Sequence, residues 1–213
     1  MRGIRMIRFC LWVMVLDIVF FPAEVNLFAY FVIMRDKKEK RGRFKMSRIG
    51  VILGQDFEDS EYIQPVEAMK KEGHEIIHLG LKQGETVKGK KEGTEVKIDQ
   101  SLDNVSAGDF DAMLIPGGYS PDNLRAHEEP VRFTREFFET GKTVFCICHG
   151  AQLLISADTL RGRTLTGWKS ITKDIENAGG NFVDEELVID DNLVTSRNPD
   201  DLPVFCKACI ERL

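Results

Sequence analysis

From residue 46 onward the chain alternates short β-branched apolar runs with amphipathic stretches, the pattern of a mainly parallel sheet with helices on both faces. Residues 49–53 form an apolar run of strand length. Residues 60–72 carry Ile63, Val66 and Met69 at helical spacing and stop at Gly73, which predicts a helix. A second strand is expected at 75–79, followed by a hairpin-like excursion over 86–98, where apolar and polar residues alternate and Gly89 and Gly93 break the run. Residues 111–115 predict a third parallel strand, and a helix over 130–139 leads through Gly141 to the apolar strand 143–147. Helices at 149–157 and 170–178, short strands at 187–189 and 193–195, and a last helix from Asp200 complete the order. With no internal repeat and no second core, residues 46–213 predict one α/β domain.

The first 45 residues do not fit this pattern. Between Phe9 and Met34, 22 of 26 residues are apolar, long enough to span a bilayer, and basic residues flank the run on both sides. Asp17, Pro22, Glu24 and Asn26 interrupt it, and carboxylates are costly near a membrane centre. No small-x-small cleavage signal follows it. The leading expectation is a mis-assigned start, with translation beginning at Met46; the second is a membrane anchor at 9–34 whose basic flank keeps the domain on the cytoplasmic side.

Charge sharpens the division. Residues 1–45 hold ten Lys/Arg and four Asp/Glu, a balance of +6, whereas 46–213 hold nineteen and thirty, a balance of −11. An acidic body repels phosphate backbones, so no constitutive nucleic-acid partner is expected. Five cysteines, at 10, 146, 148, 206 and 209, are too few and too uneven for a disulfide framework, which points to a reducing, cytoplasmic setting. His74, His78 and His127 lack metal-ligand spacing and are read as surface or loop residues, and no metal or other cofactor is expected. Cys206 and Cys209 are read as i, i+3 packing partners on the last helix, and Trp168 as a core or rim residue.

In open α/β sheets, chemistry gathers at the carboxyl ends of the strands. Three such ends are unusual here. Cys146-Ile147-Cys148-His149-Gly150 spans a strand-to-helix junction, so Cys148 is placed on a sharp turn of the nucleophile-elbow kind. The helix dipole there predicts a thiol pKa below the free value of roughly 8.5. Cys146, still inside the strand, is read as a packing residue, and the plainer reading of Cys148 is the same. Gly117 and Gly118, after the third parallel strand, can turn backbone N–H groups into the crevice and, with the N–H of His149, form an oxyanion hole. Glu58 and Glu61 suit the first turn of a helix on dipole grounds alone. Glu61 is also positioned to reach Cys148, where desolvation would raise its pKa and let it share or shuttle a proton.

Cys148-His149-Gly150, Pro116-Gly117-Gly118 and Asp56-Phe57-Glu58-Asp59 followed by Glu61 occur in an order that resembles the ThiJ/PfpI superfamily, in particular its PfpI-like branch. The segments 118–125 and 195–202 extend the resemblance to nearly all of residues 47–213. It implies a flavodoxin-like three-layer sandwich with a nucleophile elbow, related to class I glutamine amidotransferases. It also implies Cys148 as nucleophile, His149 as its histidine and Glu61 as the acid that hydrogen-bonds the thiol. Asp122 occupies the position of the acidic residue by which a neighbouring subunit orients the histidine, so a homodimer or larger homo-oligomer is implied.

For function, the leading expectation is a carbonyl-stress enzyme of glyoxalase or protein-deglycase type. In it the Cys148 thiolate adds to methylglyoxal-like dicarbonyls or their early glycation adducts. A PfpI-type intracellular cysteine peptidase ranks second, because the side chains of adjacent Cys and His on an elbow are expected to diverge. A glutamine amidotransferase needs a late His and Glu pair, and residues 150–213 contain no histidine. The non-enzymatic alternative is a redox-sensing stress chaperone in which Glu61 stabilises an oxidised Cys148.

Overall fold

A computed structural model of the chain describes residues 46–213; the two expectations for residues 1–45 lie outside the described residues. The first strand, β1 (Arg48–Ile52), is followed by helix α1 (Asp59–Lys71) and strand β2 (Glu75–Gly80). The excursion is a two-stranded antiparallel hairpin, β3 (Thr86–Lys88) and β4 (Glu95–Lys97), and a short β5 (Gln100–Ser101) returns to the sheet edge. Next come β6 (Ala112–Ile115), helices α2 (Ser120–Leu124) and α3 (Glu128–Glu139), β7 (Thr143–Ile147) and helix α4 (Ala151–Ser156). The remainder is β8 (Thr164–Leu165), α5 (Thr172–Asn177), β9 (Asn181–Phe182), β10 (Val188–Asp190), β11 (Leu193–Ser196) and α6 (Leu202–Glu211).

Seven strands form one sheet in the order β10-β11-β7-β6-β1-β2-β5, parallel throughout except where β10 pairs antiparallel with β11. Helical layers on both faces make this a three-layer sandwich, because alternate residues of each central strand feed opposite cores. Ile49, Val51, Leu114, Phe145 and Val194 enter one core with Met69 of α1 and Phe205 of α6. Ile52, Met113, Ile115, Val144 and Leu193 enter the other with Phe133 and Phe137 of α3. Burying each such side chain contributes roughly 1.5–3 kcal/mol.

The pattern-based reading missed α2, β5 and the two-residue pair β8–β9. Elements this short carry too few residues to show a period. Two histidines also differ from expectation. His74 is buried and accepts a hydrogen bond from the Ser47 N–H through Nδ1 (3.2 Å). His78 lies within β2, its Nε2 2.9 Å from the Tyr62 hydroxyl and its Nδ1 2.9 Å from Asp99 Oδ2. His74 lies in the turn between α1 and β2, as a loop residue, but is buried, and His78 is a strand residue; each satisfies a polar group at the edge of the core. His127, immediately before α3, is exposed as expected. Cys146, Cys148, Cys206 and Cys209 are free thiols, and Cys209 packs in the core. Among the described residues no helix is long and apolar enough to cross a membrane.

Candidate active site

The carboxyl ends of β1, β6 and β7 lie side by side, in register, and the loops leaving them converge. Cys148 has φ of 58°, a left-handed conformation that costs a non-glycine residue roughly 1–3 kcal/mol. A 3₁₀ turn, Cys148–Gly150, then leads into α4. Gly150 makes the turn possible, because a Cβ there would sit 2.5 Å from the Ile115 carbonyl oxygen and 2.9 Å from Cys146 Sγ.

Gly117 is the point where the three loops touch. A Cβ on it would lie 2.5 Å from Glu61 Oε2 and 2.8 Å from Cys148 Cβ, so the acid and the thiol approach each other across a residue that can only be glycine. The Gly117 N–H donates to Glu61 Oε2 (2.9 Å), and the Glu58 N–H donates to the Gly117 carbonyl (3.2 Å). Gly118 has φ of 78° and turns its N–H, together with that of His149, toward the Cys148 sulfur. The Gly117 N–H, expected to join them in an oxyanion hole, is taken instead by Glu61. The Ser120 hydroxyl accepts from the Gly54 N–H (2.8 Å) and pins this loop to the end of β1.

Glu61 is fully buried, and burial raises its pKa from 4.5 to about 8 against the opposing hydrogen bonds from Gly117 and Cys148. Its second oxygen, Oε1, has no nitrogen or oxygen partner, as suits a carboxyl that keeps its proton beside a sulfur. Cys148 is 7% exposed, and here the sequence-based expectation fails. Burial, reinforced by the nearby Glu61, pushes the thiol up, while the N–H groups of His149 and Gly118 pull the other way. The dipole offered by a 3₁₀ turn and a six-residue helix is too small to reverse the desolvation.

His149 does not diverge from Cys148. Its Nδ1 lies 3.3 Å from Sγ, its Nε2 lies 3.4 Å from the Ser170 hydroxyl, and its ring packs against Trp168 at 6.3 Å between centroids. Burial and then the Lys90 ammonium lower its pKa, so the imidazole is neutral near pH 7. Asp122 is half-exposed, ion-paired with Arg125 (2.6 Å) and 3.3 Å from Gln152 Nε2; within one chain it makes no hydrogen bond to His149. The structure therefore gathers Cys148, His149, Glu61, Gly117 and Gly118, and leaves Asp122 at the periphery.

The cavity above the sulfur has a volume of about 390 Å³. Lys90, Lys91, Tyr119 and Trp168 line it as well, and the two lysines were not expected in the site, because they come from a hairpin distant in sequence. The hairpin is held over the cavity by the carboxylate of Asp59, which accepts from the N–H groups of Lys91 (2.9 Å), Glu92 (3.1 Å) and Thr94 (3.0 Å). Burial would raise the Asp59 pKa, but Thr94 and these N–H groups outweigh it and hold the carboxyl at about 2. Trp168 is set in place by its N–H donating to the Cys148 carbonyl (3.1 Å). Among the described residues no group of three or more His, Cys, Asp or Glu side chains is placed to hold a metal ion.

Known proteins share this arrangement of elements. A protein of Escherichia coli strain K12 named protein/nucleic acid deglycase 2 is 52% identical over 167 residues, 78% of this chain and 97% of its own. General stress protein 18 of Bacillus subtilis strain 168 is 54% identical over 159 residues, 74% of this chain and 92% of its own. A crystal structure from Anabaena variabilis, a two-domain protein with a DJ-1/ThiJ/PfpI-like and a ferritin-like domain, superposes with a TM-score of 0.77 at 42% identity. That match covers 79% of this chain and 48% of the two-domain protein, so the chain spans about half of its length. The sequence profile of the DJ-1/PfpI family matches residues 47–212, and the chain belongs to that family.

Proposed function

We propose that the chain is a cysteine-dependent carbonyl-stress enzyme of glyoxalase or deglycase type that needs no cofactor and works in a reducing, cytoplasmic setting. The observation that carries this reading is Glu61, fully buried beside Cys148, where burial pushes its pKa up to about 8. The name of the E. coli relative, a deglycase, agrees with it. Methylglyoxal serves as the simplest substrate. As Sγ attacks the aldehyde carbon, neutral His149 takes the thiol proton and returns it to the carbonyl oxygen, giving a hemithioacetal. The N–H groups of Gly118 and His149 stabilise the oxygen while it is negative. The C1 hydrogen then leaves as a proton to His149 and is returned to C2, while the C1 hydroxyl proton passes to the C2 oxygen with Glu61 assisting the transfer. The ketone becomes an alcohol and C1 becomes a thioester. Water cleaves the thioester, so methylglyoxal and water give lactic acid and the free thiol, with no external oxidant.

Peptide hydrolysis is the second reading, and the 3.3 Å contact between His149 and Cys148 favours it. It ranks lower because amide cleavage demands more of the acid that protonates the departing amine than carbonyl isomerisation does. In either reaction, Asp122 of a neighbouring copy is proposed to orient His149, consistent with the half-exposed position of this carboxylate. Lactate formation from methylglyoxal by the full-length chain, beside Cys148→Ala, tests the leading reading. Turnover lost in the variant supports it; absence of turnover in a folded wild type contradicts it.

A further inference from the structure

The rim of the cavity carries a charge that the chemistry above does not use. Lys91 is neutralised by Glu58, with Nζ 3.0 Å from Oε1. Lys90 has no carboxylate within ion-pair distance among the described residues; its ammonium lies over the Tyr119 ring, 4.0 Å from the centroid. Tyr119 is itself 54% exposed and lines the same cavity as Cys148. Such a contact holds a cation in place without cancelling its charge.

The backbone beneath Lys90 is built to keep it there. Its N–H donates to the Phe57 carbonyl (2.8 Å), and the Gly89 N–H donates to the Thr94 carbonyl (2.9 Å). Any Cβ on Gly89 would collide with the Asp59 carboxylate, so the hairpin approaches the acid that clamps it as closely as a peptide can. The ammonium acts on the site, since it contributes to holding His149 neutral. In a body with a balance of −11, a cation fixed in the lining of the cavity adds a positive potential beside Cys148 that an anionic group would meet on entry.

We propose that Lys90 is a specificity-determining residue that draws substrates bearing an anionic group, such as a ketoaldehyde that carries a carboxylate, onto Cys148. The substrate class rests on the carbonyl chemistry proposed above; the charge preference is open to a test that needs no turnover. Iodoacetate and iodoacetamide both alkylate a thiolate, forming an S–C bond as iodide leaves, and differ in charge. Their rates at Cys148, followed on the Cys148 peptide of the full-length chain by mass spectrometry, give the preference directly.

Lys90→Gln lowers the iodoacetate-to-iodoacetamide rate ratio by roughly threefold to tenfold at low salt, and the difference shrinks in about 1 M salt. Lys207→Gln, which removes the same charge from the exposed face of α6 outside the cavity, leaves the ratio unchanged. The kcat/KM ratio for 4,5-dioxopentanoate, a ketoaldehyde that carries a carboxylate, over methylglyoxal falls in Lys90→Gln in the same sense. An unchanged alkylation ratio in Lys90→Gln, or an equal fall in Lys207→Gln, overturns the proposal. A fall in the alkylation ratio with neither aldehyde turned over by the wild type leaves the anion preference standing and refutes the carbonyl chemistry.

Discussion

Cys146 and Cys148 stand two residues apart at the end of one strand, both free, both buried, and both with thiols pushed up by burial. In an unbroken strand they would point to the same face. They do not, because the positive φ of Cys148 diverts its side chain into the core that holds Phe145 and Ile147, whereas Cys146 stays with Val144 on the other side. One backbone angle thus separates a packing thiol from a site. Around Cys148 the turn brings a proton-bearing acid, an imidazole and two N–H donors. Around Cys146 it brings Gly150 to a distance where a Cβ would clash with the sulfur. Burial does not make the difference; the directed partners do.

The largest effect that separates the two is on turnover. Cys148→Ala is expected to reduce lactate formation from methylglyoxal at least about a thousandfold. Cys146→Ala keeps it within a few-fold and lowers stability by about 1–2 kcal/mol in urea unfolding. Comparable losses in both variants would erase the distinction.

Glu61→Gln follows, with an expected loss of about a hundredfold or more in kcat. The wild-type rate is expected to fall above about pH 8, where Glu61 ionises and its charge opposes an anionic sulfur; the residual activity of the variant lacks that limb. The stability sign follows from the same shift. The folded state keeps a proton that the unfolded chain releases above about 4.5, so the Glu61 contribution is fully present below that pH and is lost as the pH rises through about 8. Thermal unfolding of the wild type and Glu61→Gln across this window checks it, and the variant should show a flatter profile.

Gly117→Ala introduces a Cβ between Glu61 and Cys148 and is expected to cost activity about tenfold to a hundredfold with far-UV circular dichroism unchanged. The smallest effect is expected from Asp59→Asn, which weakens the hairpin clamp. Hydrogen exchange at Lys91, Glu92 and Thr94 should speed up while Cys148 alkylation by neutral iodoacetamide changes less than about threefold. Its contribution to stability is present above about 3.8 and is lost as the pH falls through about 2.

The alternation of runs was enough to place the parallel strands, the long helices and the hairpin, because each has a period of its own and buries one face of it. Cys148, His149 and the paired glycines were legible for the same reason, since a nucleophile at a strand end followed by glycine requires a particular backbone. Three features were not legible. Lys90, Lys91 and Trp168 reach the cavity through tertiary contacts with Asp59 and the Cys148 carbonyl, which leave no local pattern. The direction of the Cys148 shift depends on burial, which a helix-dipole argument cannot weigh. The contact between His149 and Cys148 depends on Ser170 and Trp168 steadying the ring from another loop.

The most direct test of the central claim is to look at the sulfur during turnover. Full-length protein mixed with methylglyoxal and quenched rapidly in acid, then digested and analysed by mass spectrometry, should carry an adduct of methylglyoxal's mass on the Cys148 peptide. The adduct should be absent from the peptides of Cys146, Cys206 and Cys209, and it should decay as lactate appears. Lactate formed at the wild-type rate with Cys148 unmodified, or formed by Cys148→Ala, would contradict the account.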